Sequence, residues 1–200
     1  MAIQIKSVET KGDFRKFAKF ANKLYKGNKY YVPAMPADEL ATFDKKRNAA
    51  YEFCEAEYYL AYKDGKIVGR VAAIINHKAN EAWKVKQVRF GWIDFIDDME
   101  VSAALLDAVC KFGKKHGMTQ IVGPLGFTDF DPEGMLVEGF DRLSTMALIY
   151  NYPYYPEHMK AHGYYKETGW VEYRITLPEK VSERHVAIAE AVKDRYGLKV

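Results

Sequence analysis

Two β-type runs, Tyr58 to Lys63 and Lys66 to Asn76, meet at Asp64-Gly65, the dipeptide that a two-residue hairpin turn prefers. That junction constrains the chain more than any other feature. Two long strands must lie antiparallel and bury an almost wholly apolar second run against further elements. A third strand is expected over Val88 to Ile96. An amphipathic helix then runs from Met99 to His116, presenting Val101, Ala104, Leu105, Ala108 and Phe112 on one face and stopping at Gly117.

The flanks follow from the same rules. Ile3, Ile5 and Val8 mark a first strand. Thr10 with Asp13 three residues on forms a helix start, and Phe14, Phe17, Ala18, Ala21, Leu24 and Tyr25 repeat at helical spacing as far as Gly27. A short helix is placed around Asp38 to Phe43, a buried strand over Thr119 to Val122, and a helix entered through Pro156 and closed by His162-Gly163. Tyr164 to Glu167 and Trp170 to Leu177 have the pattern of a closing strand pair, and Glu183 to Tyr196 that of a last helix. The expected fold is α/β (α+β): a mixed, mostly antiparallel sheet with helices on both faces. The expected domains are residues 1–177 and a C-terminal helix over 178–200, with Leu198-Lys199-Val200 opening a further unit.

Composition removes several function classes. With 48% hydrophobic residues and a net charge of +3, the chain is neither a disordered tail nor a strongly basic nucleic-acid binder. Apolar stretches such as Val71 to Ile75 and Met146 to Tyr150 reach five residues, where a bilayer span needs about 20. Two cysteines, Cys54 and Cys110, make neither a disulfide framework nor a zinc site, so a reducing cytoplasm is the expected compartment. His158 and His162 stand one helical turn apart without the glutamate of a metalloprotease, and the Asp129-Asp131-Glu133 run lacks the closing carboxylate of a calcium loop. No metal is expected.

The order of elements, the run Phe90-Gly91-Trp92-Ile93-Asp94-Phe95 followed by Asp97-Asp98-Met99-Glu100-Val101, then Gly123-Pro124, Glu133 to Phe140 and Tyr150 to Tyr155, resemble a bacterial branch of the GNAT acyltransferase superfamily. The resemblance covers residues 1 to about 177. It implies acyl-CoA as donor, a strand at 88–96 that lines the thioester, and a helix at Met99 whose start faces the pyrophosphate. Phe95, Ile96, Asp97 and Asp98 fall at the donor position. The acceptor, a small-molecule amine or a lipid-like amine, enters near the 123–154 loop, with Phe127, Asn151, Tyr152 and Tyr154 as its lining. The superfamily's glycine-bearing phosphate loop is replaced here by Ile96 to Ala103, with three carboxylates and no glycine. Asp97 and Glu100 have capping-box spacing, which occupies helix-start N–H groups and repels a pyrophosphate.

Asp94 is the candidate general base. Period-two alternation puts it on one face with Phe90, Trp92 and Ile96, where lost solvation raises a carboxyl pKa. The preferred reading is nonetheless a carboxylate meeting water or an arginine, because most perturbed carboxylates are structural. The tyrosine general acid often kept by the superfamily falls on Met159, so Tyr155, at the helix entry, is the candidate donor of a proton to the thiolate. Packing or lining is preferred over catalysis for this aromatic cluster. The alternative to N-acyl transfer is a GNAT-fold ligand-binding or interaction domain without catalysis.

Overall fold

In the computed structural model, which describes residues 2–143, 145, 148–197 and 199, the chain forms two units, residues 1–165 and 166–200. The first unit carries a five-stranded sheet in sequential order: β1 (Gln4–Ser7), β2 (Cys54–Lys63), β3 (Lys66–Asn76), β4 (Gln87–Phe95) and β5 (Gln120–Val122). The first three pairings are antiparallel and the last, β4 with β5, is parallel. Asp64 and Gly65 take positive φ of 52° and 73°, as the primed turn of a tight hairpin requires.

Between the strands lie α1 (Lys11–Leu24), α2 (Pro36–Thr42), a 3-10 turn (Ala49–Glu52), α3 (His77–Trp83) and α4 (Met99–Lys115), and α5 (Tyr154–Ala161) follows β5. The Thr10–Asp13 capping box closes the start of α1 as expected. Helix α3 was not expected. Asn76 caps it by accepting from the Ala79 N–H, and the connection between β3 and β4 becomes about two helical turns.

The sheet separates two cores. Tyr59, Ala61, Val71, Ala73, Ile75, Phe90 and Phe95 face α4 and α5, while Tyr58, Leu60, Ala72 and Ile74 face α1 and the 3-10 turn. Strand β4 breaks this alternation. Ala72 pairs with Gly91 but Arg70 with Asp94, so β4 carries an extra residue opposite β3. The bulge centres on Trp92, whose φ is +45°. The expected face is therefore corrected. Phe90 joins Ile93 and Phe95 on the α4 side, and Asp94 turns to the α1 side with Trp92.

The second unit contains α6 (Glu183–Tyr196), capped by Ser182 and ended by Gly197 in the left-handed region. The strand pair expected at 164–167 and 170–177 is not formed. Tyr165, Trp170, Val171, Tyr173, Ile175 and Leu177 are all exposed, and none of these described residues lies in a strand. The expectation for Leu198-Lys199-Val200 falls on positions 198 and 200, outside the described residues.

Candidate active site

Strands β4 and β5 pair over three positions only, Gln87–Gln120, Val88–Ile121 and Arg89–Val122. One further link follows, the Leu125 N–H donating to the Phe90 carbonyl at 2.9 Å. Gly91 permits this approach, since a Cβ there would meet the Leu125 carbonyl oxygen at 2.5 Å. Beyond it the edge of β4 is left to side chains. The Phe95 N–H donates to the Tyr155 hydroxyl at 2.9 Å, and the Tyr154 hydroxyl donates to the Phe95 carbonyl at 2.6 Å. The Tyr155 ring stacks on Phe95 with centroids 4.2 Å apart. The first turn of α5 thus fills the space that opens when β4 and β5 part.

Behind Tyr155 lies a buried polar chain. The Tyr155 and Tyr25 hydroxyl oxygens are 2.8 Å apart, and the Tyr25 hydroxyl donates to Asp94 Oδ1 at 2.9 Å. Tyr25 has one proton to give. That proton is placed to serve either Asp94 or the Tyr155 oxygen, while the Tyr155 hydroxyl donates to the Phe95 carbonyl at 3.3 Å. Asp94 Oδ2 accepts from Arg70 Nε at 2.7 Å, and Arg70 Nη1 donates to Glu39 at 3.0 Å and to the Phe17 carbonyl at 2.9 Å. Arg70 and Asp94 are 3% and 6% exposed, so solvent screening is slight. Two carboxylates share one guanidinium, which leaves the fully ionised cluster with one negative charge in excess. Burial pushes the Asp94 and Glu39 carboxyls above their ordinary range, with Arg70 opposing the shift. Burial, then the Asp94 charge, pushes the Tyr25 and Tyr155 phenols well above theirs.

The start of α4 carries a second cluster. Its cap is Asp98, which accepts from the Glu100 N–H at 2.9 Å and from Lys63 Nζ at 2.6 Å. The expected Asp97–Glu100 capping box is therefore corrected. The Lys63 hydrogen bond holds the Asp98 carboxyl below its usual range. Asp97 instead meets His158 Nε2 at 3.0 Å. An ionised carboxylate only accepts, so this nitrogen carries hydrogen and His158 Nδ1 accepts from Ser102 Oγ at 2.9 Å. His162 Nε2 completes the chain, donating to Ser102 Oγ at 2.7 Å. Burial and the neighbouring His158 lower the pKa of His162.

The sequence-derived candidates divide. Asp94, Phe95, Tyr154 and Tyr155 converge on the β4 edge. Ile96 continues the ladder by donating to the Val68 carbonyl at 3.0 Å, and Asp97 and Asp98 serve His158 and α4. Tyr152 packs in a tyrosine cluster with Tyr25 and Tyr150. Asn151 clamps the loop, its side chain accepting from the Leu136 N–H at 2.7 Å and donating to the Leu136 carbonyl at 3.1 Å. Phe127 lies apart from these, fully buried with Tyr58 and Phe43 on the α1 side. Sequence reasoning missed Tyr25, Glu39, Arg70 and Ser102. Arg70 carried a usable signal: an arginine inside the run Ile67 to Ile75 demands a buried counter-charge.

A cavity of about 480 Å³ lies among Asn48, Phe53, Thr128 and Asp131, and one of about 270 Å³ among Tyr59, Ala108 and Lys111. Neither is lined by Asp94, Phe95 or Tyr155. Among the described residues no group of three or more His, Cys, Asp or Glu could hold a metal ion, and no helix is long and apolar enough to cross a membrane.

No family model matches the chain. Protein YghO of Escherichia coli (strain K12) is 30% identical over 162 residues, 81% of this chain and 41% of that protein. The bacterial ceramide synthase of Caulobacter vibrioides (strain NA1000 / CB15N) is 23% identical over 184 residues, 90% of this chain and 48% of that protein. The chain thus spans less than half the length of these curated relatives. Among solved structures, AAC(6')-Iy in complex with a CoA-S-monomethyl-acetylneamine bisubstrate analogue aligns at TM-score 0.53 and 14% identity, over 88% of this chain and all of that one. A transcriptional regulator from Bacillus halodurans C-125 aligns at 0.51 and 12%, over 86% and 99%. The chain has the GNAT fold.

Proposed function

We propose that the chain acts in N-acyl transfer, passing an acyl group from a coenzyme A thioester to an amine by direct attack. The observation that carries this reading is the stretch of β4 edge that no strand pairs and that two tyrosine hydroxyls cover. The Phe95 N–H and C=O, paired with no strand, stand beside a hydrogen-bonded path from Tyr155 through Tyr25 to Asp94. Two tyrosine hydroxyls satisfy those backbone groups, and the amides of an extended donor can take over both bonds when the tyrosines withdraw. In this reading Asp94 is the base, Tyr155 is the proton donor to the leaving thiolate, and residues 95–98 face the donor. Tyr152 and Tyr154 line the acceptor, while Phe127 and Asn151 hold the loop that carries them.

An apolar, lipid-like partner is supported from two directions. One relative is named a ceramide synthase, and a ceramide is the amide of a fatty acid with a long-chain amine. Val32, Met35 and Val137 are exposed on segments whose neighbours, Tyr31 and Leu136, pack in the tyrosine cluster. A second reading, a GNAT-fold binding domain without catalysis, is favoured by the closed edge and by Asp97, Asp98 and Glu100 at the start of α4. Three carboxylates there repel a pyrophosphate.

The test incubates the 200-residue chain with acetyl- or palmitoyl-CoA and a long-chain primary amine, follows amide by mass spectrometry, and records thermal shifts in parallel. Amide formation supports transfer. A ligand-dependent rise in Tm without amide supports the binding domain, since a ligand that binds only the native state raises Tm by mass action. A well-folded sample that gives neither refutes donor binding.

A further inference from the structure

We propose that Tyr25 is a proton-carrying link between Tyr155 and Asp94, and that Arg70 and Glu39 hold Asp94 as a one-proton reservoir for acyl transfer. The inference rests on the N-acyl transfer reading. It adds a role for three residues that motif reasoning does not reach.

The geometry is continuous. Tyr155 and Tyr25 touch oxygen to oxygen at 2.8 Å, and Tyr25 meets Asp94 at 2.9 Å, all within the protein interior. Asp94 itself is shut behind Tyr25 and Arg70, so a substrate amine reaches it only through the phenols. The electrostatics favour a stored proton. Arg70, Asp94 and Glu39 carry one positive and two negative charges, and accepting one proton brings the buried cluster to neutrality. Glu39 is essential to this count: with Arg70 alone, Asp94 would form a neutral pair and resist protonation. Tyr154 is half-buried, packs against the Tyr155 ring with centroids 5.0 Å apart and shares the Phe95 carbonyl with it, so the two tyrosines leave that carbonyl together when a donor takes it.

The step balances without any redox partner. The amine nitrogen forms the C–N bond at the thioester carbonyl and becomes positively charged. Once the donor has taken over the Phe95 carbonyl, the Tyr155 hydroxyl turns from it to Tyr25, and the amine proton passes to the Tyr155 oxygen as the Tyr155 proton moves to Tyr25 and the Tyr25 proton moves to Asp94. When the C–S bond breaks, the same path runs backwards and delivers that proton to the departing sulfur, giving a free thiol and an uncharged amide. Tyr155 and Tyr25 end as they began.

The experiment compares wild-type chain with Tyr25→Phe, which keeps the ring and removes the hydroxyl, using palmitoyl-CoA and a long-chain primary amine. Tyr31→Phe, an alteration of the neighbouring ring whose hydroxyl bonds Asn22 instead, is the control. The expected result is a fall in kcat of about a hundredfold for Tyr25→Phe with KM little changed, and partial recovery with hydroxylamine, whose low basicity reduces the need for proton removal. Wild-type activity in Tyr25→Phe overturns the relay and leaves the transferase reading standing. A wild-type chain that makes no amide overturns both. Should Tyr25→Phe fail to fold, 3-fluorotyrosine at position 25 must move the acid limb of the pH–rate profile to lower pH. An unmoved limb overturns the proposal.

Discussion

Replacing Arg70 with methionine fills the same volume but removes the single cation from a site with two buried carboxylates. The guanidinium makes hydrogen bonds to Asp94, Glu39 and the Phe17 carbonyl; Asp94 is buried and the Glu39 side chain is 12% exposed, so little solvent is left to replace the cation. Breaking a buried ion pair from one side costs about 3–5 kcal/mol. In a unit of this size each kcal/mol lowers Tm by about 2–4 °C, so Arg70→Met should lose about 6–20 °C near neutral pH. The loss must depend on pH. Burial already raises the Asp94 and Glu39 carboxyls above their ordinary range, and removing Arg70 raises them further. An acid whose folded pKa lies above its unfolded value stabilises the fold below the unfolded pKa, and that stability is lost as pH rises through the folded pKa. The deficit is therefore smaller near pH 5 than near pH 8, where both carboxyls are forced to ionise unpaired. Thermal unfolding followed by circular dichroism at the two pH values measures it, with Lys111→Ala, which breaks only an exposed pair with Asp107, as control. A Tm near wild type, or a deficit equal at both pH values, refutes the account of this cluster as a buried, charge-unbalanced site.

Other perturbations have defined outcomes. Gly91→Ala pushes a Cβ into the Leu125 carbonyl oxygen and should unfold the β4 edge, read as a large Tm loss, whereas Gly27→Ala, with open space around it, meets no such clash and carries only the strain of its positive φ. Ser102→Ala removes the hydroxyl that joins the buried His158 imidazole to the partly exposed His162. It should cost about 1–3 kcal/mol by chemical denaturation, the penalty of unsatisfied buried partners. Asp98→Ala removes the α4 cap and should cost about 1 kcal/mol at neutral pH. Because the Asp98 carboxyl is lowered by Lys63, that contribution is present above its unfolded pKa and fades as pH falls through the folded value, so variant and wild type should converge in acid.

Local chemistry made much of this fold legible. The Asp64-Gly65 turn, the Thr10–Asp13 cap and the Met99 helix each depend on residues a few positions apart, and each forms where its signal lies. The bulge at Trp92 sits beside the close approach of the Leu125 backbone to Gly91, a contact from far along the chain that no local pattern encodes. That single inserted residue moved Asp94 to the opposite face and into the company of Arg70. The alternation over Trp170 to Leu177 shows the converse. A period of two states which side a strand would bury and supplies no neighbour to bury it against. Of the site, the β4 carboxylate and the Tyr154-Tyr155 pair were readable. Tyr25 was not, because at the end of an amphipathic helix it reads as one more core aromatic, and only its hydroxyl's position beside Asp94 distinguishes it.

The central claim is that the edge of β4 at Phe95 is where an acyl thioester seats. The most direct measurement labels the chain with 15N-phenylalanine and titrates palmitoyl-CoA while the backbone amide of Phe95, assigned through a Phe95→Leu variant, is followed by NMR. The account predicts that the Phe95 signal moves with the ligand as its hydrogen bond passes from Tyr155 to the donor, while the Phe127 signal, from the opposite core, stays in place. Saturating binding that leaves the Phe95 amide unmoved contradicts it.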